Sequence, residues 1–197
     1  MKPRDQSEPG SSCALSNTLP AGYPSGYTTE FQASDGTEFT VRPIRPDDEP
    51  RMVDFHRHLS EETVYRRYFV PLRLEVRTAH ERLLKRCLID YQKEMALVAT
   101  YSDQDRQLRL AAVARLVKAA DAKRAEVAFV VADQHQHHGL GKYLLDRIID
   151  IARREGLSEL EAIVLADNLG MKDLFRRAGF KFSPPQGTDV TARLKLS

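Results

Sequence analysis

Very little in this sequence pulls it toward a charged partner. Thirty Lys and Arg against 28 Asp and Glu leave a formal net charge of +2. That balance is too mild for a nucleic-acid binder or for attachment to an anionic membrane. Long hydrophobic runs are also missing, and none nears the ~18–20 residues that a membrane-spanning helix needs. The opening stretch MKPRDQSEPGSSC lacks the apolar centre of a secretory signal. Cysteine is scarce: Cys13 and Cys87 are the two present. They are too few for a disulfide scaffold and read as thiols of a reduced, cytoplasmic protein. No internal repeat is visible. What is there, 42% hydrophobic and 29% charged residues over 197 positions, suits one globular domain with a sizeable core and a little extra.

The extra is N-terminal. Residues 1–26 are rich in Ser, Pro and Gly and offer too little apolar surface to offset the entropy of ordering. A flexible tail is expected there, followed by one domain over 27–197; the alternative is that Tyr23 and Tyr27 dock the tail. YTTEFQA and TEFTVRPI flank Ser34-Asp35-Gly36, a hairpin signal. RPDDEPRMVDFHRHLS predicts a helix capped by Asp47 or Asp48, with Pro50 in its first turn, where it breaks no hydrogen bond. SEETVYRRYF predicts a second short helix, and VRTAHERLLKRCLI a third. Arg66 and Arg67 on the second fit a solvated face, with Tyr65, Tyr68 and Phe69 packing inward; the alternative is contact with an acidic substrate surface or a phosphate.

Then the hydrophobic period changes from helical to alternating. EMALVATYS, LRLAAVARLVK and EVAFVVA predict three strands, the last with the unbroken apolar run of a central strand buried on both faces. A loop and an amphipathic helix follow. SELEAIVLA is a strand, DNLGMKDLFRRAG a short helix ended by Gly179, and FKF with DVTARLKL closes the chain. The order implies an α/β fold, a mixed sheet flanked by helices.

The loop, ADQHQHHGLGKYLLDRI, carries the chemistry. It lies between a buried strand and a helix whose Leu144, Leu145, Ile148, Ile149, Ile151 and Ala152 form one apolar side. The first amides of a helix lack internal partners and its dipole makes that end positive. Gly139 and Gly141 let an anion approach the backbone, which is the physics of a phosphate site. Tyr143 stands where a Walker A loop needs Ser or Thr, Gln136 where it needs Gly, and Leu144 where the dinucleotide fingerprint has its third Gly. The pattern is Gln136-x-x-Gly139-x-Gly141. His135, His137 and His138, with Asp133, offer a competing zinc reading, but no cysteine or carboxylate cluster completes it, and no metal is expected. Solvated side chains, or His137 and His138 donating to phosphate, are the other readings.

QHHGLG between strand and helix, with NLGMKDLFRRAGFKF further on, resembles the GNAT acyltransferase superfamily over roughly residues 37–196. VRPIRPDDEPRMVDFHRHLSEETVYRRYF, DYQKEMALVAT and AEVAFVVADQHQHHGLGKYLL are similar to the acetyltransferase module of bacterial Pat-type protein lysine acetyltransferases. The resemblance implies a mostly antiparallel central sheet with splayed middle strands, and acetyl-CoA as co-substrate. It implies that Phe129, Val130 and Val131 run along the pantetheine arm. Gln136, His137, His138, Gly139, Leu140, Gly141 and Lys142 would hold the pyrophosphate, and Asn168, Met171 and Phe175 would border the thiol end. Glu126 matches the family's catalytic glutamate.

The chemistry needs such a group. A lysine amine, with a reference pKa of ~10.4, is protonated at neutral pH, and only the neutral amine attacks a thioester. A partly buried carboxylate is suited to take that proton, and a strand amide near Val130 or Val131 to stabilise the oxyanion. Two departures stand out. Many relatives carry Tyr where this chain has Phe175, so the leaving thiolate would take its proton from water. Pat-type enzymes also carry a large partner domain, which leaves regulation and acceptor choice open. The expected reaction is acetyl transfer to a protein lysine; the alternatives are a small-molecule amine acceptor and a non-catalytic acyl-CoA sensor. The acceptor, the preferred acyl chain and the oligomeric state are not encoded in any motif.

Overall fold

Strand alternation sorts the apolar side chains into two layers, one on each face of a sheet. The computed structural model describes residues 19–196; most of the expected tail lies outside the described residues. In chain order the elements are β1 (Thr29–Gln32), β2 (Glu38–Pro43), α1 (Glu49–Arg57), α2 (Glu61–Tyr68), α3 (Leu74–Arg77), α4 (His80–Cys87), β3 (Glu94–Ser102), β4 (Leu108–Lys118), β5 (Arg124–Val131), α5 (Leu140–Arg154), β6 (Glu159–Leu165), α6 (Leu169–Arg177), β7 (Lys181–Phe182) and β8 (Asp189–Lys195). The strands form one sheet in the order β1-β2-β3-β4-β5-β6-β8-β7. Every pairing is antiparallel except β5 with β6. This is the splayed GNAT-type α/β sheet that the resemblance implied. Among the described residues no helix is long and apolar enough to cross a membrane.

One layer gathers Leu97, Leu116, Val127 and Phe129 of the sheet under Leu144, Leu145 and Ile148 of α5 and Phe175 of α6. The other gathers Val98, Val113 and Val130 under Met52 and Phe55 of α1, Val64 of α2, and Leu83 and Cys87 of α4. Covered on both faces, β3 and β4 are buried without interruption through most of their length. The start of β5 differs from the expected doubly buried strand. Glu126 is exposed between buried Ala125 and Val127, and two-sided burial begins only at Phe129 and Val130.

The chain before β1 is partly docked. The Tyr23 hydroxyl donates to the carbonyl of Pro43 at 2.9 Å, its ring meets Tyr91 edge-on, and the Arg45 guanidinium sits 5.2 Å from it. Asp48 leads into α1 as expected, yet its side chain makes no cap there. It is fully buried and receives both Arg42 Nη atoms at 2.7 Å, plus the backbone N–H of Arg45 at 2.8 Å. A bidentate, desolvated pair fixes β2 against α1. The predicted third helix is two short ones, because the Thr78 hydroxyl donates to the carbonyl of Leu74 at 2.8 Å and competes with helix continuation.

Two buried groups set the acid and redox behaviour of this layer. Burial, chiefly, pushes the Cys87 thiol up to about 12. Burial followed by the charges of Arg77, Arg82 and Arg67 pushes His56 down to about 4, and its Nδ1 has no hydrogen-bond partner.

Two outcomes follow for stability. Asp48→Ala strands a buried guanidinium and is expected to cost about 3–5 kcal/mol in urea denaturation. For His56 the unfolded chain keeps the ordinary value near 6.5, so its contribution is complete above that pH. It is lost as pH falls from 6.5 towards about 4, by on the order of 3 kcal/mol. The same titration of His56→Leu should show a flatter slope in that window.

Candidate active site

The site begins where β5 and β6 stop pairing. Their parallel ladder runs only from Arg124 opposite Glu159 to Glu126 opposite Glu161. Beyond it β5 stays on β4 as far as Val131 opposite Ala112, and β6 stays on β8 as far as Leu165 opposite Asp189. A wedge opens between them. Ala132 N–H donates to Ala111 C=O at 2.8 Å, which sets the phase of the β4–β5 ladder. By antiparallel alternation, the main-chain groups of Val130 turn to β4, and those of Phe129 and Val131 turn into the wedge. Of the two oxyanion donors weighed from sequence, Val131 therefore has its amide on the open side. Its carbonyl already accepts from Gln136 Nε2 at 3.0 Å.

After β5 the chain makes a short 3-10 turn, Asp133–His135, and reaches α5 through His137 and Gly139, whose φ angles are +65° and +92°. A Cβ at Gly139 would meet Phe31 only at an ordinary 3.6 Å, so it is the left-handed backbone, not lack of space, that calls for glycine. Gly139 is the N-cap of α5 and supplies no side-chain cap. The first-turn amides of a 15-residue helix are thus left facing outward.

Asp133 ties this loop to α2. Its carboxylate accepts from the Ser60 N–H at 2.9 Å, the Ser60 hydroxyl at 2.6 Å and the Thr63 hydroxyl at 2.7 Å. Burial alone would raise its pKa, but these donors hold it below the ordinary carboxylate value. Ser60 in turn caps α2 by accepting from the Thr63 N–H, and Gln136 Nε2 also donates to the Thr63 hydroxyl at 3.2 Å.

Two cavities flank the wedge. The larger, about 460 Å³, is lined by Phe129, Val130, Val131, Gln136, His137, Gly139, Gly141, Lys142, Asn168 and Met171, all candidates from the sequence. The smaller, about 50 Å³, holds Glu126 with Arg66, Arg67, Phe69 and Ile163. Phe129, Asn168, Met171, Arg66 and Arg67 line both. The Asn168 side chain accepts from the Met171 N–H at 3.1 Å and caps α6. Among the remaining candidates, Leu140 is a fully buried core side chain and His138 stands near Asp35, with Nδ1 3.8 Å from its carboxylate; neither lines a cavity. Phe175 is 2% exposed, lies between Phe129 and Phe180, and reaches only the smaller cavity.

The zinc reading meets a different arrangement. His135 is buried with its ring against Phe39 and Tyr101, not solvated, and Asp133 is engaged by α2. Thr63 was missed as a site residue, and Arg67 follows the alternative given for it in the sequence, a contact at the site, rather than the solvated face. Arg67 is half-buried and lines both cavities, while Tyr65 points to solvent. The signal was present: Val64 is the buried anchor of α2, and the helical period puts Arg67 and Tyr68 on its face.

The model of the acetyltransferase (GNAT) family matches residues 56–180, and the chain belongs to that family of acetyl-CoA-dependent N-acetyltransferases. It is 33% identical over 165 residues to acetyltransferase PA5475 of Pseudomonas aeruginosa, covering 82% of this chain and 86% of that one. It is 34% identical over 149 residues to acetyltransferase Pat of Mycolicibacterium smegmatis, covering 75% of this chain but 43% of that protein; the chain spans less than half of that relative's length. Its structure is similar to the GNAT domain of S. lividans PAT, with a TM-score of 0.79 at 30% identity, covering 88% of this chain and 99% of that domain.

Removing the link between loop and helix tests its role. Asp133→Ala leaves the Ser60 cap in place but removes a carboxylate that accepts three hydrogen bonds, and is expected to lower stability by about 1.5–3 kcal/mol. Amide exchange across Val64–Tyr68 should speed up while α5 stays protected.

Proposed function

We propose that this protein moves the acetyl group of acetyl-CoA to the ε-amine of a protein lysine, with Glu126 as general base. The observation that carries the reading is the pair of cavities meeting at the wedge. One side offers glycine-turn amides and Lys142, the other a carboxylate, and they share the walls made by Phe129 and Asn168. Similarity to Pat and to the S. lividans PAT domain supports the lysine acceptor, and the two-cysteine sequence supports a cytoplasmic setting.

The residues fit the co-substrate. Outward first-turn amides of α5, with Gly139, Gly141, Gln136, His137 and Lys142 around them, suit a diphosphate. Leu140 and His138 take part through their main chain, given where their side chains lie. The wedge-facing main-chain groups of Phe129 suit the amide-bearing pantetheine arm, as an added strand would, and leave the Val131 N–H for the oxyanion. Acetyl-CoA supplies an activated acyl group. Glu126, exposed and not partly buried as the sequence suggested, takes the proton from the acceptor ammonium directly or through water. The neutral nitrogen then forms the C–N bond. The Val131 N–H stabilises the negative oxygen, and the C–S bond breaks to release thiolate. Phe175 has no proton to give, so water relays to the thiolate the second proton that the nitrogen sheds on becoming an amide.

Glu126→Gln should lower kcat about 10²–10⁴-fold and leave acetyl-CoA affinity, measured by calorimetry, essentially unchanged. Purified protein with labelled acetyl-CoA should mark lysines in a cell lysate, mapped by mass spectrometry. Equal, slow thiol release by wild type and variant with every acceptor would sink the reading.

A further inference from the structure

We infer that the acceptor lysine is accompanied by a carboxylate in the same polypeptide, an adjacent Asp or Glu, and that Arg67 receives it. The inference rests on the acetyl-transfer reading and names which lysines it selects.

Arg67 is a charge without a settled partner. Among the described residues it forms no ion pair within 4 Å, whereas its neighbour Arg66 is exposed and paired with Glu62 at 2.5 Å. The Arg67 guanidinium sits 5.2 Å from the centre of the Tyr68 ring, half-buried, at the wall common to both cavities. Arg86 and Arg82 repel it, while Tyr68 and then Glu126 favour its charge, Glu126 being the carboxylate among them. Nearby Arg115 is no help, since it is itself a cation and its ion pair takes up Glu94. Burial, ahead of these charges, pushes the Arg67 guanidinium below its usual value, the sign of a cation with too little compensation.

Glu126 cannot be that compensation throughout a turnover. It must accept the ammonium proton, and once neutral it leaves Arg67 with no counter-charge. A carboxylate brought by the acceptor restores it at the moment it is lost. The cation also disfavours a second positive charge nearby, so it helps the acceptor nitrogen reach its neutral form. A planar guanidinium suits a carboxylate in two-point contact. The small cavity beside it is walled by Phe69, Ile163 and Met171, and Ile163, Val70, Tyr65 and Leu169 are exposed apolar residues around this region. That rim suits a polypeptide more than a small hydrophilic amine. Asp133 and Ser60 hold α2, and hence Arg67, in place before any acceptor arrives.

The test compares initial rates on three capped peptides of equal length, whose single lysine is flanked by Glu, by Gln or by Arg. Wild type should favour the Glu peptide over the Gln peptide about tenfold in kcat/KM, mainly through KM, with the Arg peptide slowest. In Arg67→Gln the preference should fall below about twofold, and Arg67→Lys should recover part of it. Because each ratio is taken within one variant, loss of fold or of overall rate does not imitate the result. Equal kcat/KM for the three peptides with wild type, or a preference that survives Arg67→Gln, overturns the inference while leaving lysine acetylation standing. Free lysine outrunning all three peptides overturns the polypeptide as the source of the carboxylate. No turnover of any peptide overturns the lysine reading together with it.

Discussion

Everything functional in this fold depends on one failure of pairing. A sheet strand normally satisfies its amides and carbonyls on both sides. β5 does so only through its first three residues, after which β6 leaves with β8. From Val127 to Val131 one side of the strand is without a neighbour strand, and a single side chain, Gln136, is drawn in to cover the Val131 carbonyl. The rest of that edge is main chain in search of a partner, inside a sheet whose other strands are well covered. A ligand built of amides and bounded by a diphosphate fits that need, and the sheet provides it without any special side chain.

The same opening explains how two reactants meet. α5 and α6 lie on one face and α1 to α4 on the other, so a slot through the sheet joins two surfaces that otherwise never touch. Side-chain alternation along β5 then divides the labour: Phe129 points to the α5 face, while Glu126 and Val130 point to the face carrying α2. Moving Glu126 by one residue would send its carboxylate to the α5 face. The position of α2 matters as much as the strand. Ser60 and Thr63 are bound to Asp133, in the very turn that leads to the glycines, so the helix is fastened to the loop.

Much of this was legible beforehand. β3 and β4 match their expected limits residue for residue, because alternation and a polar Asp-Gln-Asp-Arg turn leave little freedom. The glycine turn and the apolar stripe of α5 were equally plain, since each depends on local backbone physics. Where tertiary contacts decide, the sequence said less. His135 resembles its two loop neighbours in composition but is swallowed by Phe39 and Tyr101. Thr78 breaks a helix that the apolar spacing alone would continue. Arg67 is separated from Arg66 only by helical phase, three residues on from Val64, and that mark is faint in so short and polar a helix. Glu126 was placed on the right strand by resemblance; read from the residues alone it is a solvated strand-end carboxylate, and its exposure agrees with that rather than with the partial burial the catalytic role suggested.

Cys87 gives the fold a quiet immunity. Each catalytic cycle would release a free thiol beside the protein, and once that product is oxidised to its disulfide it can exchange with a cysteine through the cysteine's thiolate. Cys87 sits on the buried face of α4, where burial pushes its thiol up to about 12, so it stays sulfhydryl at any physiological pH. The domain can therefore sit in its own product without becoming mixed-disulfide capped at that position.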